Sequence, residues 1–287
     1  MSSFQYSPST QASVGLGLRR EMLDEFCQQV PSAIDFFEVA PENWMTLGGK
    51  FARQFSQLTQ EHRFFCHGLS LSIGSPEALD TQFVKNIKGF LDAHKIDIYS
   101  EHLSYCSGKG HMYDLMPIPF TDDAVIHTAK RIKQVEDILE RPFILENVSF
   151  YAAPGAQMSE QEFVNAVLQE ADCKLLLDVN NIYVNAINHQ YDANDFLAAM
   201  PTDRIAYLHI AGHYQEDVDL MVDTHGADVI DPVWSLLQQC YQLHGVHPTL
   251  LERDFNIPKT EVLLNEINQI HQYQQLALEH SSALRKT

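Results

Sequence analysis

Ile205-Ala206-Tyr207-Leu208-His209-Ile210-Ala211-Gly212-His213 decides how the chain folds. Residues 205–208 are a short apolar run of strand-like composition, and the run stops at an imidazole. Asp223-Thr224-His225-Gly226 then supplies a carboxylate and a further imidazole. A buried strand that ends at a cavity, with the next loop folding back over it, has this layout. Neutral imidazole together with carboxylate suits zinc, iron or manganese, whereas a thiolate-rich set would point to softer metals. Asp223 and His225 stand two apart and face the same way in extended chain. His209 and His213, four apart, converge through a turn. A single histidine in a chain that has 14 is ordinarily a loop residue. The constellation reads as a metal site because the same positional rule recurs along the chain.

Apolar runs stand at 14–18, 36–39, 64–66, 96–99, 143–145, 175–177, 205–208 and 249–251. Stretches of helical spacing follow them at 19–29, 49–61, 76–93, 122–139, 159–170, 193–200, 232–243 and 259–284. Ser75-Pro76-Glu77, Thr121-Asp122-Asp123 and Asp231-Pro232 supply helix-start signals. This rhythm predicts an α/β protein, a single (β/α)8 TIM barrel. A doubly wound sheet is the alternative, but no glycine-rich phosphate loop supports it, since Gly15-Leu16-Gly17 lacks the third glycine. Residues 1–12 read as a flexible lead-in and 13–287 as the barrel domain. Two connections, 103–120 and 211–230, are too long for turns. Both follow a strand, which places them on the catalytic face.

Bulk composition narrows the partners. The 287 residues carry 38 acidic and 19 basic side chains, a formal charge of -19. That balance argues against a nucleic-acid backbone as partner. Cys27, Cys66, Cys106, Cys173 and Cys240 are dispersed without a paired motif, which fits a reducing compartment and thiols buried as small hydrophobes. Cys66 and Cys106 fall near the proposed site, where packing is the better account of them. The N-terminus lacks a signal-peptide core and no apolar run is long enough to span a bilayer, so a cytoplasmic protein without a membrane partner is expected.

The polar residue that closes each apolar run carries the chemistry. His67, His102, Glu146, Asp178, His209 and Glu252 end successive runs, as does Glu38. In a barrel these positions gather at one mouth, because parallel strands share a C-terminal rim. Any one of them could instead cap the next helix, and for Glu38 and Asp254 the two accounts are even. Carboxylates bridge cations as imidazoles do not, and Glu146, midway round the rim, is the expected bridge. One metal would take His67, His102 and Glu146; a second Glu146, Asp178, His209 and Glu252. A third would use Asn180, His213, Asp223 and His225, with Asn180 on the same face as Asp178. Imidazole must be neutral to bind, so metal affinity is expected to fall below about pH 6. Glu160, at a helix start, reads as a surface carboxylate outside the set.

The stretches HGLSLSIGS (67–75), SEHLSY (100–105), LENVS (145–149), LLLDVNN (175–181), HIAGH (209–213), DTHG (223–226) and LERD (251–254) resemble the multinuclear non-haem iron enzymes of RiPP precursor-peptide modification, the family that includes the methanobactin-biosynthesis oxygenase. The resemblance runs over about 14–269. It implies a xylose isomerase-like barrel and an oxidoreductase with two or three iron ions (zinc or manganese as isolated) and dioxygen as co-substrate. It also implies a Cys-containing ribosomally made precursor peptide as substrate and a separate partner protein that presents it. Glu146, Asp178, His209 and Glu252 would then be catalytic. Loops 105–113 and 214–222 would touch the peptide or act as a lid. A zinc or manganese hydrolase or isomerase of the AP endonuclease/xylose isomerase type keeps the same barrel. The endonuclease form needs a basic groove that a chain at -19 does not favour. A non-catalytic metal- or peptide-binding protein ranks third, since structural sites usually close all coordination positions.

Overall fold

In a computed structural model, which describes residues 12–108 and 110–284, eight parallel strands close into a barrel. They are β1 (Val14–Gly17), β2 (Phe36–Val39), β3 (Arg63–Gly68), β4 (Ile98–His102), β7 (Ile144–Glu146), β8 (Lys174–Asp178), β9 (Ile205–Ile210) and β12 (Thr249–Leu251). Around the ring they follow the order β1-β2-β3-β4-β7-β8-β9-β12, and β12 pairs in parallel with β1. The remaining strands form two antiparallel hairpins, β5 (Ser104–Ser107) with β6 (His111–Pro117) and β10 (Tyr214–Asp217) with β11 (Leu220–Val222). These hairpins occupy the two long connections. The expected lead-in falls outside the described residues except for Ala12.

Strand parity divides the core in two. Phe36, Phe65, Ile98, Ile144, Leu176, Tyr207 and Leu250 pack together inside the barrel. Two residues further along the same faces stand Glu38, His67, Ser100, Glu146, Asp178, His209 and Glu252, with His102 two beyond Ser100. An apolar floor therefore carries a polar layer at the C-terminal end. Strand β1 adds no donor: Gly15 lies level with Phe36, whose ring fills the space of a Cβ there, and Gly17 lies level with Glu38. The opposite faces of the strands, among them Leu16, Phe37, Cys66, Leu145, Leu177 and Leu208, pack in the larger core outside the barrel.

Most helices follow the sequence pattern closely: α2 (Gly49–Glu61), α4 (Asp122–Leu139), α5 (Glu160–Ala171), α8 (Asp231–His244) and α9 (Thr260–Leu284). Thr121 caps α4 by accepting from Ala124 N, and Ser159 forms a capping box with Glu162 at α5. Three expectations change. The helix expected over 19–29 shrinks to a 3-10 turn and α1 (Leu23–Phe26). Helix α3 (Thr81–His94) starts beyond Ser75-Pro76-Glu77, where Asp80 accepts from Gln82 N and Phe83 N. Two helices follow β8 rather than one: α6 (Val179–His189) precedes α7 (Ala193–Ala198).

Helix α6 begins at the barrel rim, and Asp178 is its cap: Oδ1 accepts from Asn181 N at 2.7 Å. Its asparagines bind neighbouring segments. Asn185 donates to Val148 O and to Glu160 Oε1 and accepts from Phe150 N. Asn188 pairs with both the N–H and the carbonyl of Met221 in the second hairpin. Glu160 is buried, not a surface residue, and burial raises its carboxyl pKa to about 8 despite hydrogen bonds from Tyr191 and Asn185.

Gly212, between His209 and His213, sits where a Cβ would overlap the backbone carbonyl of Ala227. Backbone cannot swing aside as a side-chain tip can. Gly212→Ala is expected to lower stability by about 3 kcal/mol, measured as a shift in the urea midpoint; an unchanged midpoint would show that the loop yields freely.

Candidate metal centre

The polar layer brings His67, His102 and Glu146 together first. His67 Nε2 is 3.1 Å from His102 Nε2 and 3.1 Å from Glu146 Oε2, which is 3.2 Å from His102 Nε2. Metal–donor bonds of about 2.1 Å place neighbouring donors roughly 3.0–3.4 Å apart, so this triangle fits one cation. His102 Nδ1 donates to the Gly68 carbonyl at 2.9 Å, and His67 Nδ1 meets Ser100 Oγ at 2.7 Å.

A second group shares Glu146. Its Oε1 lies 3.4 Å from His209 Nδ1, which also faces Glu252 Oε2 at 3.0 Å and Asp178 Oδ2 at 3.8 Å. The other ring nitrogen of His209 lies 2.8 Å from Glu38 Oε1. Asp178 thus divides its oxygens, one capping α6 and the other turned into the site.

The third expected group is arranged differently from its sequence grouping. His225, Asp178 and Glu252 form the compact triplet, with His225 Nδ1 3.4 Å from Glu252 Oε2. Asn180, His213 and Asp223 continue outward as a chain of contacts. His213 Nδ1 meets Asn180 Oδ1 at 2.8 Å, Asn180 Nδ2 donates to Asp223 Oδ1 at 3.0 Å, and that oxygen lies 2.7 Å from His225 Nε2. Ser149 donates to Asp223 Oδ2, and Asp223 N donates to the Tyr151 hydroxyl. His213 and Asp223 stand outside the three compact triplets found among the described residues.

Glu146 Oε2, Asp178 Oδ2, both His209 ring nitrogens and His225 Nε2 are buried without a hydrogen-bond partner. Leaving so many polar atoms unsatisfied is costly, and native interiors avoid it unless something else binds them. Their types, imidazole nitrogen and carboxylate oxygen, fit a resident metal centre.

Without a cation, protons supply the balancing charge. Burial pulls the His102 pKa down, but Glu146 and Glu101 outweigh it and lift it to about 9. Burial likewise opposes His209 and His225, and facing carboxylates, Glu38 and Glu252 for the first and Asp223 and Glu252 for the second, raise both well above the usual imidazole range. Burial and the Glu146 charge push Asp178 up to about 8. Burial works against ionising Glu146 and Glu252, yet their histidine neighbours hold both well below the usual carboxylate range.

A cavity of ≈ 440 Å³ opens above this layer, bounded by Arg19, Trp44, His67, Glu252 and Phe255. Arg19 pairs with Asp254 and lies 4.0 Å from Glu252, so it places a cation at the rim. Sequence reasoning missed Arg19, Ser100 and Tyr207. Ser100 and Tyr207 were accessible through parity, two residues before His102 and His209; Arg19 carried no comparable signal. Of the cysteines, Cys66 faces the outer core and Cys106 Sγ contacts the Leu69 carbonyl, consistent with packing.

Metal uptake must expel these protons. A raised pKa means the competing proton is bound below about pH 9 at His102 and about pH 8 at Asp178, so affinity is expected to climb as pH rises through 7 to 9. The window lies higher than neutral imidazole alone predicts. Zinc titration in lightly buffered solution with a pH indicator measures the release; uptake with no proton released would contradict the charge balance described.

Comparison with known proteins covers nearly the whole chain. The model of the family described as RiPP precursor modification enzyme MbnB/TglH/ChrH matches residues 13–275. A UPF0276 protein of Shewanella loihica is 79% identical over 272 residues, covering 95% of this chain and 98% of that protein. A UPF0276 protein of Pseudomonas aeruginosa is 52% identical over 263 residues, covering 92% and 93%. Among solved structures, a xylose isomerase-like TIM barrel protein from Mycobacterium smegmatis in complex with magnesium aligns with TM-score 0.61 at 13% identity, covering 96% of this chain and 100% of that one. The 3-keto-D-glucoside 4-epimerase of E. coli aligns with TM-score 0.59 at 12% identity, covering 91% and 98%. At such identities the likeness is one of fold, a xylose isomerase-like barrel.

Proposed function

The chain belongs to the family of RiPP precursor modification enzymes MbnB/TglH/ChrH, and from that premise we propose that it is a di- or tri-iron oxidoreductase. In this reading it uses dioxygen to modify cysteine residues of a ribosomally made precursor peptide, which a separate partner protein presents. The carrying observation is the shared carboxylate: Glu146 turns Oε2 to His67 and His102 and Oε1 to His209. One side chain facing two donor groups suits two adjacent cations, whose mutual repulsion its charge offsets.

His67, His102 and Glu146 would hold one iron; Glu146, Asp178, His209 and Glu252 the next. A third would lie at His225, with Asp178 and Glu252 inward and Asn180, His213 and Asp223 outward. Iron bound in this set supplies one-electron chemistry and activation of dioxygen. The protein's own residues perform the remaining tasks. The apolar floor shuts water out from below, and the Arg19 guanidinium at the rim is placed to meet a carboxylate or carbonyl of an entering peptide. Tyr151, Tyr214 and Phe255 are exposed on segments that follow β7, β9 and β12, Tyr214 within the second hairpin, and offer aromatic surface for peptide contact. No helix among the described residues is long and apolar enough to cross a membrane.

Anaerobic purification followed by elemental analysis and Mössbauer spectroscopy tests the metal. At least two irons per chain are expected, with oxygen uptake on adding a Cys-containing peptide encoded nearby together with its partner. Stoichiometric zinc or manganese, with no oxygen uptake in iron-reconstituted protein, would instead favour a hydrolase or isomerase.

Glu146→Gln removes a ligand from two groups at once and is expected to cut bound metal to roughly half or less. Glu170→Gln, at an exposed position on α5, serves as the control and should leave it unchanged. Wild-type metal content in both variants would remove Glu146 from the bridge.

A further inference from the structure

The metal-facing imidazoles differ in how their tautomers are set. His102 donates from Nδ1 to a backbone carbonyl, which only accepts, so its Nε2 is left for a metal. His67 has no such anchor. Its Nδ1 meets Ser100 Oγ, a hydroxyl that donates or accepts with equal ease. Ser100 Oγ also lies 3.4 Å from the Cys66 carbonyl, a weak acceptor at that distance, so the much shorter contact beyond Ser100 orients the hydroxyl.

Ser100 Oγ lies 2.6 Å from the Tyr207 hydroxyl, and Tyr207 donates to Glu38 Oε2 at 2.7 Å. With the Tyr207 proton committed to Glu38, Tyr207 accepts from Ser100, and Ser100 accepts from His67 Nδ1–H. The direction of the whole row follows from its last member. The other carboxyl oxygen of Glu38 lies 2.8 Å from His209 Nε2, off hydrogen-bond geometry but close enough that a ring lone pair would be repelled and an N–H attracted. Glu38, Ser100, Tyr207 and His209 are all buried, so no bulk water competes for these positions.

We infer that Glu38 is a positioning residue that sets two tautomers at once, holding the proton of His67 on Nδ1 and that of His209 on Nε2. His67 Nε2 and His209 Nδ1 are thereby left as lone pairs, one facing each of the two groups joined by Glu146. The inference rests on the metal-centre reading above. Carboxylates behind metal-bound histidines are a recurrent device; here one carboxylate serves two rings on opposite walls, one directly and one through two hydroxyls.

An amide cannot do this. In Glu38→Gln the carbonyl serves one arm and the NH2 group faces the other. With the NH2 toward His209, that ring moves its proton to Nδ1. With the NH2 toward Tyr207, the row reverses and His67 carries its proton on Nε2. Either way one metal-facing nitrogen is blocked.

The test uses wild type, Glu38→Gln and Tyr207→Phe, each loaded with Zn2+ as a diamagnetic probe and followed by chelator competition and 15N-histidine NMR. Wild type is expected to show N–H at Nδ1 of His67 and Nε2 of His209. Glu38→Gln should weaken one zinc by about 10- to 100-fold while another stays tight, with one of the two N–H signals changing nitrogen. Tyr207→Phe interrupts only the indirect arm, so its smaller loss should be confined to the His67 group with the His209 signal in place. Glu38→Gln indistinguishable from wild type in affinity and N–H position overturns the inference. If Glu38→Gln does not fold, Tyr207→Phe decides alone: no loss, or an equal loss in both groups, overturns it. Wild-type protein that takes up no zinc or iron overturns the metal-centre reading and this inference with it.

Discussion

Glu146, Asp178 and Glu252 are buried side by side at one end of a closed barrel, and that concentration of negative charge constrains everything around it. Isolated carboxylates do not survive in such a place; they take protons or they take cations. The surrounding imidazoles make both outcomes available. An imidazole holds a proton, or offers a lone pair to a cation. The apolar floor beneath and the helices outside keep water from diluting the effect, so the charge must be balanced within a few ångströms.

Barrel geometry is what makes the concentration possible. Parallel strands end on a common rim, and alternate residues of each strand face the interior. Seven strands contribute a polar side chain to the same layer, while β1 is glycine on its inner face and yields space to Phe36. Second-layer residues obey the same parity. Ser100 within the polar layer and the Tyr207 hydroxyl rising from the floor contact His67 and Glu38.

Much of this was legible in the sequence because an apolar run that stops at a donor is a local pattern. Strands β2 and β12 and helices α2 and α4 have the bounds that the pattern indicates. Helix α6 was not legible. Its Val179-Asn180-Asn181-Ile182-Tyr183-Val184-Asn185 start combines β-branched residues and asparagines, all weak helix formers. It forms because Asp178 caps it and because Asn180, Asn181 and Asn185 find partners on other segments. The arrangement about His225 was hidden for a related reason. Spacing told that Asp223 and His225 share a face, but only the folded second hairpin and its loop decide that His225 reaches inward to Asp178 and Glu252 while Asp223 turns to Asn180 and Ser149. Glu160, a surface acid by sequence, is buried by Asn185 from the helix that the pattern omitted and by Tyr191 just after that helix.

The divided carboxyl of Asp178 ties interior chemistry to exterior shape. One oxygen begins a helix whose Asn188 clasps both backbone groups of Met221, and the other oxygen looks onto the place where cations would sit. The same short helix thus joins the donor layer to the β10–β11 hairpin, so the inner wall and the outer rim share one rigid element.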